Sequence, residues 1–313
     1  MNGLWLDFER PIVELENKIA QLKNIPGVED ELEKLKAQAE KMRRRIYSNL
    51  TRWQRVQLAR HPRRPYSTDL IKLIFDDFIE LHGDRRFSDD WAVVAGLAEF
   101  EKFKIALITQ QKGRDTKEKI KRNFGMPHPE GYRKALRIMK LAVKFNLPII
   151  CFVDTPGAYP GIGAEERGQA GAIAENLFEC SNFPVPIIVT IIGEGGSGGA
   201  LAIALGDRIL MLENAIYSVI SPEGCASILW RDSSKNKEAA EALKITAQDL
   251  KEFKIIDEII PEPLGGAHLD FAMTAKNIKQ VLIRNLQELA KIPVDKLIDT
   301  RIDKYRQMGV YRG

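Results

Sequence analysis

An apolar, strand-like run followed by a glycine-rich segment and a helix occurs twice in this sequence. The first copy occupies residues 148–180 and the second occupies residues 186–205. Their glycine-rich segments, residues 155–163 and 193–199, are predicted loops, and the second contains five glycines. The helix after the first loop is predicted over 164–180. Short apolar strands that alternate with helices are typical of a sheet whose two faces are both covered. The sequence therefore predicts an α/β fold with a largely parallel sheet.

The remaining pattern divides the chain into a helical N-terminus and an α/β body. Apolar residues at helical spacing before residue 22, a break at 24–27 and a second apolar stripe from 28 to 56 predict an antiparallel helical hairpin over residues 1–62. The second stripe predicts one long helix. Residues 63–313 are expected to form the main domain. Its further predicted strands are 91–100, 103–110, 208–212, 215–220 and 255–260, and its further long helices are 129–146 and 270–290.

Several classes of protein conflict with the composition. The longest apolar run, with glycine counted as apolar, is nine residues, whereas a membrane-spanning helix needs roughly 20. The first 33 residues hold eight acids and three bases, which does not fit a signal peptide. The three cysteines are widely separated and form no C-x-x-C pair, so a cytoplasmic protein without a thiolate metal site is expected.

Basic residues are concentrated in two stretches. Residues 41–68 contain nine bases and no acid, and residues 112–137 contain nine bases and three acids. Such stretches attract phosphates or acidic partners, or they form solvated helix faces. Nucleic-acid binding is not expected, because few aromatic residues lie between the bases.

The second glycine segment, IGEGGSGGA at 192–200, is suited to holding a negatively charged oxygen. Glycines let the backbone approach a ligand closely, and N–H groups at a helix start lack partners within the helix. The first segment contains VDTPG at 153–157, which is similar to a GTPase segment. The dipeptide Gly-Lys is absent from the chain, so a phosphate-binding P-loop is excluded.

Two other chemistries fit the same glycines. A G-x-G-x-x-G pattern begins at Gly193, and Glu213 follows twenty residues later, as in a Rossmann-type nucleotide-binding oxidoreductase. A G-x-S-x-G pattern is centred on Ser197, as in hydrolases that use a serine nucleophile. The triad candidates after this serine are Asp257, Glu258 and His268.

Six stretches resemble the carboxyltransferase α subunit of bacterial-type acetyl-CoA carboxylase. They cover most of the chain, although the N-terminal hairpin matches only in character. The stretches are LARHP at 58–62, GRDTKEKIKRNFGMP at 113–127, DTPGAYPGIGAEERG at 154–168, IGEGGSGGA at 192–200, YSVISPEGCASILW at 217–230 and PEPLGGAH at 261–268.

The resemblance implies a crotonase-like fold, a spiral of β-β-α units, for residues 63–313. It implies transfer of the carboxyl group of carboxybiotin to acetyl-CoA, which gives malonyl-CoA for fatty acid biosynthesis. The biotin is carried on a separate biotin carboxyl carrier protein and is loaded by biotin carboxylase. The implied partner is a zinc-binding carboxyltransferase β subunit, in an α2β2 heterotetramer that is active only when both subunits are present. This chain itself is expected to hold no metal.

The resemblance also implies the residues of the site. The backbone N–H groups of Gly198 and Gly199 are expected to form one oxyanion hole. The surrounding cleft is expected to include Gly157, Ala158, Gly195, Gly196 and Ser197. Lys121, Arg122 and Arg133 are candidates for contacts with CoA phosphates or with acidic partners.

Overall fold

The computed structural model describes residues 5–23 and 25–309, which are built around one mixed sheet. The strands are β1 (Asp76–Glu80), β2 (Val93–Phe100), β3 (Phe103–Gln110), β4 (Ile149–Thr155), β5 (Ile187–Gly196), β6 (Arg208–Leu212), β7 (Ile216–Ser218) and β8 (Glu258–Ile260). Their order is β1-β2-β3-β4-β5-β6-β8, and β7 pairs with the end of β5. The first three strands are antiparallel, and all later pairings are parallel. The predicted parallel sheet is confirmed.

Helices surround this sheet. The helices are α1 (Arg10–Leu22), α2 (Glu29–Tyr47), α3 (Arg52–Ala59), α4 (Ser67–Ile74), α5 (Thr116–Lys121), α6 (Pro129–Lys144), α7 (Ile162–Glu166), α8 (Gln169–Ser181), α9 (Ser197–Leu201), α10 (Pro222–Trp230), α11 (Asn236–Leu243), α12 (Ala247–Glu252), α13 (Phe271–Leu289) and α14 (Val294–Arg306). Helix α6 lies against β2 and β3, and α13 lies against β5 and β8. None of the helices in the described ranges is long and apolar enough to cross a membrane.

The two central strands, β4 and β5, are buried on both faces of the sheet, which explains why their sequences are almost continuously apolar. Every residue of β4 is buried, as are the first nine residues of β5, so both faces of the sheet are covered there. The strands run parallel, with Ile149 opposite Ile187 and Thr155 opposite Gly195. Their carboxyl ends therefore lie side by side, and the two glycine segments leave the sheet at the same edge.

The N-terminal helices form the predicted hairpin, but its second arm is broken. Helices α1 and α2 are antiparallel, since Glu16 pairs with Arg43 and the Tyr47 hydroxyl donates to Glu9 at 2.5 Å. The prediction of one helix over 28–56 is wrong, because Thr51 caps a new helix by accepting from the Gln54 N–H at 3.2 Å. Part of the predicted break, residue 24, lies outside the described residues.

Helix α3 packs on the body of the protein. Val56 and Ala59 share an apolar cluster with Ile216, Ala240 and Ile245. The domain boundary between residues 62 and 63 stays a prediction. Residues 1–4 and 310–313, which belong to the two predicted domains, lie outside the described residues.

Most arginines of the first basic stretch are neutralised inside the chain. Arg64 and Glu262 form an ion pair whose side chains are 1% and 0% exposed. Burial raises the pKa of Glu262, but the adjacent Arg64 outweighs it and holds that pKa below its ordinary value. The other pairs are Arg43–Glu16, Arg44–Glu40, Arg52 with Glu241 and Asp249, and Arg60 with Glu194 and Glu223. These arginines therefore do not form a free cationic face.

Candidate active site

The second glycine segment is a strand that turns directly into a helix. The prediction of a loop over 193–199 is wrong, because β5 continues to Gly196 by pairing with β7. Helix α9 begins at the next residue, Ser197, whose φ of +53° is in the left-handed region. This conformation makes the sharp change of direction, and it leaves Ser197 exposed at the edge of the sheet.

The two glycine segments touch through their backbones. A Cβ atom at Gly196 would lie 2.1 Å from the Pro156 carbonyl oxygen. A Cβ atom at Gly199 would lie 2.3 Å from both the Ala158 nitrogen and the Gly157 carbonyl carbon. Only glycine fits at either position without moving the facing backbone. The structure thus brings together the predicted residues of the cleft and of the oxyanion hole.

Space remains beside this tight contact. A Cβ atom at Gly198 would meet, among the described residues, only the Cδ1 atom of Ile173, at 3.6 Å. One at Gly157 would meet no described atom within 4 Å. The N–H groups of Gly198 and Gly199 are in the first turn of α9, where a helix supplies no acceptor for them. A negatively charged oxygen could therefore be held on the open side of Gly198.

The first glycine segment is held by a buried hydroxyl. The Thr155 hydroxyl lies 2.6 Å from the Gly125 carbonyl and 2.8 Å from the Gly157 carbonyl, and it accepts from the Gly157 N–H at 3.1 Å. The helix predicted over 164–180 is wrong, because Gly168 separates α7 from α8 with a φ of +83°. The Thr155 hydrogen bonds therefore hold the first glycine segment, residues 155–163, in place against α9.

A cluster of charged side chains that the sequence patterns do not predict lies at the ends of β4 and β5. The Lys112 ammonium is 2.8 Å from Asp154 and 3.2 Å from Glu194, and Arg60 donates to Glu194 at 2.7 Å. Burial opposes charge on Glu194, but Lys112 and Arg60 hold its pKa below the ordinary value. Burial likewise opposes charge on Lys112, whose pKa Asp154 and Glu194 raise. Glu194 and Lys112 are therefore charged and paired at neutral pH, so Glu194 is not poised to accept a proton.

One signal for this cluster was present in the sequence. Asp154 and Glu194 each stand near the end of a mostly apolar strand in the two repeated segments. Buried carboxylates at such positions require cationic partners. The partners Arg60 and Lys112 come from distant parts of the chain, so only the fold identifies them.

The three predicted phosphate contacts have different surroundings. The Lys121 ammonium lies 3.6 Å from the centre of the Trp91 ring and lines a cavity of about 200 Å³. Arg122 donates to Glu118 at 2.9 Å and to the Trp91 carbonyl at 2.7 Å. Arg133 pairs with Asp84 at 2.8 Å and with Glu130 at 3.1 Å. A phosphate role for these residues stays a prediction, and the two arginines already have protein acceptors.

The hydrolase hypothesis fails on the geometry of its histidine. His268 is 3% exposed and stacks on His61 with ring centres 4.0 Å apart. Neither ring nitrogen has a hydrogen-bond partner among the described residues, and the Glu9 carboxylate, 3.9 Å from Nε2, lies beyond the hydrogen-bond distance at which an acid orients an imidazole. Burial, followed by the neighbouring His61, lowers the pKa of His268 to about 3. The candidate acids Asp257 and Glu258 pair with Lys304 and Arg284 instead.

The oxidoreductase hypothesis also fails. Gly193 and Gly195 lie within β5, whereas the dinucleotide fingerprint forms the turn after a strand. A Cβ atom at Gly193 would lie 2.5 Å from a carboxylate oxygen of Asp154, which would repel a pyrophosphate. Glu213 accepts from the Glu262 N–H at 3.2 Å. Across the described ranges, no group of three or more His, Cys, Asp and Glu side chains is arranged to hold a metal ion.

Solved structures share this architecture. Transcarboxylase 12S, in a structure with methylmalonyl-coenzyme A and methylmalonic acid bound, aligns with 80% of this chain at a TM-score of 0.56 and 18% identity. This chain spans 43% of that transcarboxylase chain. A Pseudomonas malonate decarboxylase hetero-tetramer in complex with coenzyme A aligns at a TM-score of 0.58 and 15% identity, over 69% of this chain and 86% of the other. The predicted crotonase-like fold is confirmed.

Sequence comparison extends over nearly the whole chain. Residues 5–309 match the family described as acetyl co-enzyme A carboxylase carboxyltransferase-like. A relative from Geobacter metallireducens, named acetyl-coenzyme A carboxylase carboxyl transferase subunit alpha, is 60% identical over 308 residues, which is 97% of each chain. These matches give no support to an oxidoreductase. The protein therefore belongs to the family of acetyl-CoA carboxylase carboxyltransferase α subunits.

Proposed function

We propose that this chain is the α half of a carboxyltransferase that converts acetyl-CoA to malonyl-CoA for fatty acid biosynthesis. The main support for the proposal is that the Gly199 backbone lies tightly against the backbone of Gly157 and Ala158, while space is open beside Gly198. Such an arrangement presents backbone donors to a ligand oxygen while excluding side chains. The name of the Geobacter metallireducens relative supports the choice of acetyl-CoA.

The residues present fit a carboxybiotin group held at this cleft. Open space at Gly157 and Gly198 gives the group access to backbone N–H donors, and Ile173 is the only side chain of the described residues within 4 Å of either Cβ position. Carboxybiotin supplies the carboxyl group when it is bound. Gly198 and Gly199 would donate hydrogen bonds to an oxygen that becomes negatively charged in the transition state. The wall would be formed by Gly157, Ala158, Gly195, Gly196 and Ser197.

Backbone donors of this kind suit the reaction. The methyl carbon of acetyl-CoA would lose a proton and gain the carboxyl group in a new C–C bond. The N–carboxyl bond of carboxybiotin would break, and the biotin that has given up its carboxyl group would accept the proton. Negative charge would develop on the thioester oxygen as the proton leaves. Removing one such donor typically lowers the rate by ~10²–10³. Asp154 and Glu194 are already paired with Lys112, so we assign them to holding the strand ends and not to proton transfer.

We further propose that the site is completed by other polypeptides. The name of the Geobacter metallireducens relative, subunit alpha, supports a complex with other subunits. We propose that these are a zinc-binding β subunit, in an α2β2 assembly, together with biotin carboxylase and a biotin carboxyl carrier protein. We also propose a cytoplasmic location, because Cys151, Cys180 and Cys225 are all free thiols, which suits a reducing compartment.

Co-purification with a candidate β subunit tests the proposal. Decarboxylation of malonyl-CoA in the presence of biocytin is then measured for the chain alone and for the complex. Activity in the complex and none in the chain alone is the expected result. Activity of the chain alone would contradict the shared site, and an inactive complex would contradict the proposed function.

A further inference from the structure

Gln110, the last residue of β3, contacts the proposed oxyanion site from two strands away. Its side chain is fully buried, and its Nε2 atom donates to the carbonyl oxygen of Gly199 at 2.7 Å. The strand β4 lies between β3 and β5 in the sheet, so this hydrogen bond passes the end of a neighbouring strand. The backbone of Gln110 is itself fixed, because Ser67 donates to its carbonyl at 2.6 Å and Val93 is its partner in the sheet.

The Gly199 carbonyl needs this partner because the short helix α9 does not supply one. The Ala202 N–H donates to Gly198 at 3.0 Å, and the Ile203 N–H donates to Ala200 at 3.2 Å. The carbonyl between these two acceptors is satisfied by the glutamine. Without this donor, the buried Gly199 carbonyl would favour an orientation in which it finds another one. Gly198 and Gly199 have no side chains whose packing would oppose that rotation of the backbone.

The amide oxygen of Gln110 indicates that the stability of the fold does not by itself account for a glutamine at this position. The Oε1 atom of Gln110 is buried and has no hydrogen-bond partner among the described residues. An unpaired buried oxygen destabilises a fold, and an apolar side chain at position 110 would remove it. The same change would leave the buried Gly199 carbonyl without its hydrogen-bond donor. The hydrogen bond from the Nε2 atom to the Gly199 carbonyl therefore accounts for a glutamine at position 110.

We propose that Gln110 is a positioning residue for the oxyanion donors. By fixing the Gly199 carbonyl, it sets the orientation of the first turn of α9 and keeps the Gly198 and Gly199 N–H groups directed at the cleft. This role rests on the proposed carboxyltransferase function. Gln110 touches neither the substrate nor the transferred group, so its effect should fall on kcat and leave KM unchanged.

The test compares variants in the complex with the β subunit, assayed by malonyl-CoA decarboxylation with biocytin. Gln110→Met removes the donor and the unpaired oxygen together while keeping the length of the side chain. We expect kcat to fall about 10- to 100-fold, with KM for malonyl-CoA unchanged and Tm within about 2 °C of the parent. The matched control is Thr109→Val, which removes the 2.9 Å hydrogen bond to the Val94 carbonyl from the preceding residue. It should lower Tm and leave kcat unchanged.

Gln110→Glu gives an independent measurement if the methionine variant does not assemble. A buried carboxylic acid has a raised pKa, and its protonated form can donate to the Gly199 carbonyl. Ionisation at higher pH replaces that hydrogen bond with repulsion. We expect kcat of this variant to fall with rising pH relative to the parent.

The outcomes separate the two proposals. An inactive parent complex contradicts the proposed function, whatever the variants do. An active parent with unchanged kcat in Gln110→Met, or a Gln110→Glu profile that follows the parent at every pH, overturns the positioning role. A fall in kcat that is matched by Thr109→Val also overturns it, because general loosening of β3 would then be sufficient.

Discussion

The contact between the two glycine segments makes Gly199→Ala a sensitive test of the site. The new methyl group would lie 2.3 Å from the Ala158 nitrogen and the Gly157 carbonyl carbon, whereas ordinary contact begins at 3.4 Å. Helix α9 and the segment after β4 must therefore separate by about 1 Å. Both partners are backbone, so no side-chain rotation can relieve the contact.

This separation should reduce activity more than stability. Overpacking of a well-packed site costs about 1–3 kcal/mol of the free energy of unfolding. A displacement of about 1 Å at a reacting centre can lower the rate ~100-fold, which corresponds to about 2.7 kcal/mol in the activation free energy. We expect kcat for malonyl-CoA decarboxylation to fall by that factor in an assembled complex.

Gly171→Ala is the matched control for this variant. Gly171 is exposed on α8, and a Cβ atom there meets no described atom within 4 Å. Replacing glycine by alanine within a helix should stabilise the protein by about 0.5–1 kcal/mol and leave kcat unchanged. Parental kcat and parental stability in Gly199→Ala would refute the inferred close contact.

Three further variants test other parts of the structure. Ser197→Ala should retain kcat, because we assign the serine no covalent role; loss of activity in an intact complex would favour a hydrolase. Arg64→Met leaves Glu262 buried without its cation and should cost about 3–5 kcal/mol in denaturant unfolding, so a loss below about 1 kcal/mol would contradict the buried ion pair. Burial raises the pKa of Asp90 from 3.8 to about 6, so the folded state retains a proton that the unfolded state has released. The stability of the parent relative to Asp90→Asn should therefore decrease as pH rises through that interval and stay constant above it; a difference that does not change with pH would contradict the shift.

The alternation of strands and helices could be predicted because the signals are local. Strands are predicted at 91–100 and 103–110, and the structure forms them as the antiparallel pair β2 (Val93–Phe100) and β3 (Phe103–Gln110). Both glycine segments lie at the carboxyl ends of buried apolar strands as expected, although β5 itself continues to Gly196. Parallel pairing of those strands then places the segments together without further information.

The wrong predictions arose where distant contacts or a single residue decide the structure. Strand β5 extends through Gly196 because β7 pairs with it. A strand was predicted at 215–220, but the sequence did not indicate that it pairs with the end of β5. The apolar stripe continues across α2 and α3, although a capping pair, Thr51 and Gln54, interrupts the helix. That signal was present in the sequence and was outweighed by the periodicity.

The polar residues that support the site could not be paired from the sequence. Gln110 and Lys112 lie at and just after the end of β3, Asp154 in β4 and Glu194 in β5, and each hydrogen bond among them or to Gly199 spans forty residues or more. Charge patterning along the chain indicated basic stretches, but it could not show that Arg60 is directed inward to Glu194.

Gly198→Val tests the central claim most directly, because it blocks the open side of the oxyanion site without touching backbone. A Cβ atom at Gly198 meets only Ile173 among the described residues, at 3.6 Å, so the branched side chain extends into the space proposed for the ligand. We predict a complex with parental Tm and a loss of malonyl-CoA decarboxylation of at least ~100-fold. Full turnover by a correctly assembled Gly198→Val complex would contradict the assignment of this backbone to the reaction.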